Sequence, residues 1–352
     1  MKKPNMILSI RLFLYVFLSL AIVSECVQET GNFHSKDDDA SKNNSQPIVD
    51  TIWSYENDTG PQFWGSLGFP SCDGDLQSPI NIDTEEIPKY EYNDLFNFKH
   101  YDDVASRITV TNNGHTLMAT FDYQPSKNRP SISGGQLGGT FEFEQLHFHW
   151  GAQIEKKYSG AEHTIDGVRA PLEMHMVHRN VKYNTMDQAV NHTDGILVLA
   201  ALFEMNTNNV MPLLQSVDIV HKMVEPFMGN ATLKPRPLSS VLPEDTTAFF
   251  RYRGSLTTPG CQESVEWVVF EHRAHVIVGQ LNMLSKLRRP DQKLISHNFR
   301  PTQSVNARKI YHMVYKHPGQ VTAESASAGL RSPLLAVYGA VAAVVLVCNS
   351  RL

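Results

Sequence analysis

Three histidines in two short runs, Gln145-Leu146-His147-Phe148-His149-Trp150 and Glu173-Met174-His175, have the types and spacing of an open metal site. Three neutral imidazoles suit Zn²⁺, and three protein ligands leave a fourth tetrahedral position for water. That open position separates a catalytic zinc site from a closed structural one. A single histidine in an apolar strand is ordinarily a packed core residue, and a pair at i and i+2 also occurs in cupin-type iron sites. A cupin would want a glutamate shortly after the second histidine, where Gln153 and Ile154 stand instead. No H-E-x-x-H helix occurs, which argues against that class of zinc protease.

The elements that must hold these residues are strands. Residues 141–150 read FEFEQLHFHW, with aromatics at 141, 143, 148 and 150 and polar residues between them, a composition without a period of 3.6. On a strand, side chains two apart share a face at roughly 6.6 to 6.8 Å along the chain. His147 and His149 therefore converge on one ion while Phe148 points the other way. A stretch carrying Gly151, Gly160 and Gly167 leaves the sheet and returns, and APLEMHMVHR forms the neighbouring strand that delivers His175. Metal-bound imidazoles usually donate their other N–H to a group that fixes the tautomer. Gln145 shares a face with His147, and Glu173 with His175, so both are candidates for that part.

The histidine runs stand in register with Ser78-Pro79-Ile80-Asn81-Ile82, Asn112-Asn113-Gly114-His115, Ser159-Gly160-Ala161-Glu162-His163-Thr164 and Ser255-Leu256-Thr257-Thr258-Pro259. From Trp53 to about Lys316 the chain thereby resembles the α-class carbonic anhydrases, in particular secreted and membrane-linked members. The resemblance implies a mainly β single domain: a large twisted, mostly antiparallel central sheet, short peripheral helices and a zinc cavity. It implies one Zn²⁺ on His147, His149 and His175. Thr257 matches the hydroxyl that accepts a hydrogen bond from zinc-bound hydroxide, and Glu162 the carboxylate that takes the threonine's own proton. His115 matches the proton shuttle. Val177, Val198, Leu256, Val265, Trp267 and Thr258 match the substrate pocket, although the apolar members also read as strand core.

The implied reaction is reversible hydration of CO₂ to bicarbonate and a proton. Carbonic anhydrase is the reference case for zinc lowering the pKa of bound water to about 7. A threonine hydroxyl donates only one proton, so giving it to Glu162 leaves lone pairs to orient the nucleophile. Proton release to buffer needs a group titrating near neutrality, which histidine supplies. Asn-Gly before His115 signals a hairpin turn and predicts a position at a strand end near solvent. Two departures stand out. Met118 replaces a polar residue three positions after the shuttle, which puts its efficiency in doubt, and Met186 replaces a bulkier wall residue.

The 352 residues exceed one such domain, 51–318, at both ends. Residues 1–26, with Lys2, Lys3 and Arg11 ahead of LFLYVFLSLAIV, read as a secretory signal peptide. Residues 27–50, polar and acidic, read as a flexible leader. At the other end, small residues with attachment candidates Ser325 and Ser327 and a spacer (319–333) precede an apolar tail (334–352), the order of a GPI-attachment signal. The apolar run Leu334–Val347 falls short of the roughly 20 residues of a spanning helix, although a short C-terminal transmembrane anchor is the alternative. The expected location is the extracellular face of the plasma membrane.

Of four cysteines, Cys26 and Cys348 fall in the terminal segments, leaving Cys72 and Cys261 in the mature chain. An isolated pair in an oxidising compartment invites a disulfide, and in secreted relatives cysteines at these places are joined. Such a bond would stabilise on the order of 4 to 5 kcal/mol in the chain-entropy model and hold the Thr257 loop. Sequons at Asn43, Asn57, Asn191 and Asn230 suit the same compartment. Net charge is −5 with acids and bases scattered, so nothing points to nucleic acid. The rival reading is a carbonic-anhydrase-like binding module without activity. Such modules usually lack a zinc histidine, whereas this chain keeps all three with Thr257 and Glu162. Zinc esterase action would be a side activity of the same nucleophile.

Overall fold

The computed structural model describes residues 53–124, 129–154 and 157–316. Asn43, Ser325, Ser327 and the segments read as signal peptide, leader, spacer and tail lie outside the described residues.

Ten strands form the path of one sheet: β1 (Lys89–Tyr92), β2 (Arg107–Asn112), β3 (Leu117–Asp122), β4 (Phe141–Trp150), β5 (Leu172–Asn180), β6 (Ile196–Met205), β7 (Asn230–Leu233), β8 (Ala248–Gly254), β9 (Val265–Phe270) and β10 (Tyr311–Tyr315). Their spatial order is β7-β2-β3-β4-β5-β6-β9-β8-β10-β1, and short strands at the side bring the sheet to 13. Neighbours on this path run antiparallel except β6 with β9 and β10 with β1. Among the described residues the α-helices are few and short: α1 (Met186–Ala189), α2 (Pro212–Val224) and α3 (Val278–Leu284). The mainly β, mostly antiparallel architecture expected from the sequence is the one found.

Strand alternation assigns each side chain to a face. On β4, Leu146, Phe148 and Trp150 are fully buried in the larger core, against which α2 packs Leu213, Leu214, Val217 and Val224. Gln145, His147 and His149 take the opposite face. There a second core gathers Val177, Val198, Val265 and Trp267 with Ile80 and Ile82. Apolar packing on both faces explains why β5 is buried from end to end. The histidines thus occupy positions fixed by the burial of their neighbours.

The β2–β3 connection is the hairpin that Asn-Gly predicts. Asn113 N–H bonds Thr116 O at 3.2 Å, and the Asn113 side chain accepts from the backbone of His115 and Thr116. Gly114 has φ of +87°, a conformation costly for residues with a Cβ, and a Cβ there would also meet the Phe227 ring at 2.9 Å.

Candidate active site

Antiparallel pairing of β4 with β5 sets His147 opposite His175 and His149 opposite Glu173. The three imidazole rings lie 5.1, 5.2 and 4.5 Å apart between centroids, and each offers a ligand atom within 4.8 Å of the others. The remaining ring nitrogens are engaged. His147 Nδ1 donates to Gln145 Oε1 at 2.9 Å, His149 Nδ1 to the Asn298 carbonyl at 2.7 Å and His175 Nε2 to Glu173 Oε1 at 2.6 Å. These bonds leave lone pairs on Nε2 of His147, Nε2 of His149 and Nδ1 of His175. His149 Nε2 is buried without any partner, the mark of an atom placed for something other than protein.

Burial favours the neutral form of each ring. Burial is the main cause in all three: it lowers His147 well below the ordinary value, His149 to about 4, and His175 with further lowering from His149. An unprotonated imidazole is the form that ligates a metal. Glu173 behaves oppositely. Burial would raise its pKa, but His163 and His175 outweigh burial by charge and hydrogen bonding and hold it well below the carboxylate range. Its two oxygens serve four donors, the His163 and His175 rings and the Glu162 and His163 backbone N–H groups.

Glu162 is fully buried beside the histidines, its Oε1 accepting from the Arg300 backbone N–H at 2.8 Å. Burial raises its pKa to about 7 against the opposing pull of His175. The Thr257 hydroxyl also acts to lower it, yet no bond of ordinary length and angle joins them and Glu162 Oε2 has no partner. Thr257 sits in the loop after β8, 5% exposed. That loop is held by Leu256 N–H to Gln262 O, Cys261 N–H to Thr258 O and a disulfide from Cys261 to Cys72 that closes a separation of 189 residues. Val177, Val198, Val265 and Trp267 are buried in one cluster with Leu256 packed against it, and Thr258 is half-buried nearby in the loop.

His115 is where the hairpin puts it but is less open than expected. Its ring stacks on Trp53 at 3.7 Å with planes 8° apart, and it is half-buried. Burial, reinforced by the Arg289 charge, lowers its pKa to about 4. Met118 pairs directly with His147 across β3 and β4, and so stands on the histidine face.

Residues 59–314 match the family described as eukaryotic-type carbonic anhydrase. The chain belongs to that family. It is 33% identical to mouse carbonic anhydrase 6 over 261 residues, covering 73% of this chain and 80% of that protein. Mouse carbonic anhydrase 15 is 33% identical over 270 residues, covering 73% of this chain and 82% of that protein. For human carbonic anhydrase 7 the figures are 33% over 270 residues, 73% and 96%. The chain is therefore a lyase of the carbonate dehydratase type, in a zinc-dependent family, with a histidine triad able to hold a metal.

Three features of this carbonic anhydrase site escaped sequence reasoning. The Asn298 carbonyl, the partner of His149, lies 149 residues away and has no local signal. His163 links Glu173 to Tyr252 and then to Ser78, through bonds of 2.6, 2.7 and 3.0 Å. It stands inside a quoted motif, next to Glu162, so its presence was visible but its task was not. Trp53, the lid on His115, belongs to an N-terminal aromatic cluster with Tyr55 and Trp64 that packs around the disulfide. The sequons Asn57, Asn191 and Asn230 are exposed.

Proposed function

We propose that this carbonic anhydrase holds one zinc ion on His147, His149 and His175 and uses it for reversible hydration of CO₂ at the extracellular membrane surface. The single observation that carries this is the set of three neutral imidazoles whose outer nitrogens are all committed, leaving three lone pairs directed to one place. The donor set suits Zn²⁺. When bound, zinc supplies the Lewis acidity that lets water lose a proton near neutral pH.

The chain's own residues do the rest. Gln145, the Asn298 carbonyl and Glu173 fix the ring tautomers and orientations. Thr257, which acts on Glu162 from the loop after β8, would close its one hydrogen bond onto the unpartnered Oε2 during the reaction, leaving its lone pairs to accept from the attacking water and aim it at the carbon of CO₂. Val177, Val198, Leu256, Val265 and Trp267 provide an apolar wall for a molecule that needs few hydrogen bonds, with Thr258 at its polar edge. His115 takes the released proton to buffer. Its burial against Trp53 makes it a weak base, so proton exit past Met118 is the slow part of the cycle.

The residues outside the catalytic domain give the location: a signal peptide over 1–26, a leader over 27–50, and attachment of a GPI anchor at Ser325 or Ser327 with removal of 334–352. The disulfide between Cys72 and Cys261 and the exposed sequons support an oxidising route. Among the described residues no helix is long and apolar enough to cross a membrane. Metal analysis of the dialysed protein tests the site: one zinc per chain is expected, with loss in His149→Ala. A variant that keeps full zinc contradicts the assignment.

A further inference from the structure

A second concave site lies on the opposite sheet face, across the β1-β10-β8-β9 end. Its cavity measures about 580 Å³, within the range of small-molecule sites. Register places its walls. Arg251 pairs with Tyr311 and Arg253 with Glu266, positions that alternate with Phe250, Tyr252 and Trp267 and so face away from the histidines. Continued two residues beyond the end of β10, the same register brings Lys309 towards Arg253, and both line the cavity. Like charges across a sheet are destabilising unless compensated.

The charges around this cavity do not balance. Four cations line it, Arg251, Arg253, Arg308 and Lys309, against Glu91 and Glu266. Glu91 is held by Lys316 at 2.7 Å. Glu266 pairs closely with Arg251 and meets Arg253 only at 3.6 Å. Arg308 bonds the carbonyls of Val305, Arg253 and Ser304, which fix its position, and the nearby Glu263 carboxylate offsets its charge. An excess of two positive charges remains, both on side chains open to an incoming ligand: Arg253 is 63% exposed and Lys309 is exposed. Tyr90, 44% exposed, also lines the cavity and meets Tyr311 edge-on at 5.2 Å, giving it a flat aromatic wall.

We propose that this cavity binds a phosphate monoester carried on a flat ring. The ester is close to a dianion at neutral pH. It matches the surplus charge better than a monoanion, and the planar Arg253 fork suits its oxygens while Lys309 supplies a point charge. The ring lies against Tyr90. None of these residues takes part in CO₂ hydration, so the two sites are separable.

Calorimetric titration of the intact protein with phenyl phosphate tests the assignment, with inorganic phosphate as the ringless control. Wild type is expected to bind phenyl phosphate with a dissociation constant below a millimolar, and Arg253→Gln/Lys309→Gln to weaken it at least fivefold with CO₂ hydration unchanged. Tyr90→Ala is expected to erase the preference for phenyl over inorganic phosphate. No measurable binding to wild type, or a loss below fivefold in the double variant, overturns the proposal. The variants change exposed side chains, and unchanged hydration reports that the fold survives.

Discussion

Replacing Trp53 with alanine should restore His115 to an ordinary base. The indole covers the imidazole at 3.7 Å, and burial is the first cause of a pKa lowered from 6.5 to about 4. That difference corresponds to at most about 3 kcal/mol favouring the neutral ring, less whatever solvent screening its partial exposure allows. Its sign is fixed by linkage. A histidine with a depressed folded pKa binds fewer protons than the unfolded chain between pH 4 and 6.5, so stability from this group is complete above 6.5 and is lost as pH falls towards 4. At pH 7 only about one His115 in a thousand carries a proton. The assay is an NMR titration of the histidine ring protons, with His115 assigned by its disappearance in His115→Ala. In wild type its midpoint should lie near 4, and in Trp53→Ala above about 6, with only Arg289 then opposing protonation. CO₂ hydration by wild type should respond strongly to added imidazole buffer, and Trp53→Ala less. A wild-type midpoint near 6.5, or one that stays below about 5 without the indole, would refute the reasoning.

Thr257→Val should lower CO₂ hydration about 100-fold while zinc content stays at one per chain, because the orientation of the nucleophile is lost and the ligands are untouched; turnover within threefold of wild type would contradict this role. Glu173→Gln should weaken zinc 10- to 100-fold in a chelator competition, since the His175 tautomer loses its anchor and His163 its acceptor. Unchanged affinity would remove Glu173 from the metal's support. Cys72→Ser with Cys261→Ser should cost up to about 5 kcal/mol in denaturant unfolding, as the cross-link closes a separation of 189 residues; an equal midpoint would mean the unfolded state is not what the bond restrains. Phosphatidylinositol-specific phospholipase C should release the protein from expressing cells, and retention despite an active lipase would favour a peptide anchor.

The parts of the site that were legible in the sequence are those governed by strand alternation. His147 and His149 share a face because Leu146, Phe148 and Trp150 fill the other core, and Gln145 and Glu173 follow by the same period. Long-range pairing set the rest. No local pattern could bring the Asn298 carbonyl to His149 or Trp53 onto His115, since both arrive through loops and an N-terminal aromatic cluster tied down by the disulfide. The Asn-Gly turn predicted the place of His115 correctly. Its burial depended on a residue outside the hairpin, which is why the expected open surface histidine proved to be a covered one. The charge surplus behind β8 was invisible for the same reason: −5 overall, spread evenly along the chain, becomes locally positive only when β8, β10 and the loop before β10 are laid side by side.

Stopped-flow CO₂ hydration by the zinc-loaded protein, compared with His175→Ala and with the chelator-stripped protein, tests the central claim most directly. Hydration well above the buffer rate is expected, falling to background in both comparisons and returning to the stripped wild type on adding one equivalent of zinc. Background hydration by fully zinc-loaded wild type, or full activity in His175→Ala, would contradict the account.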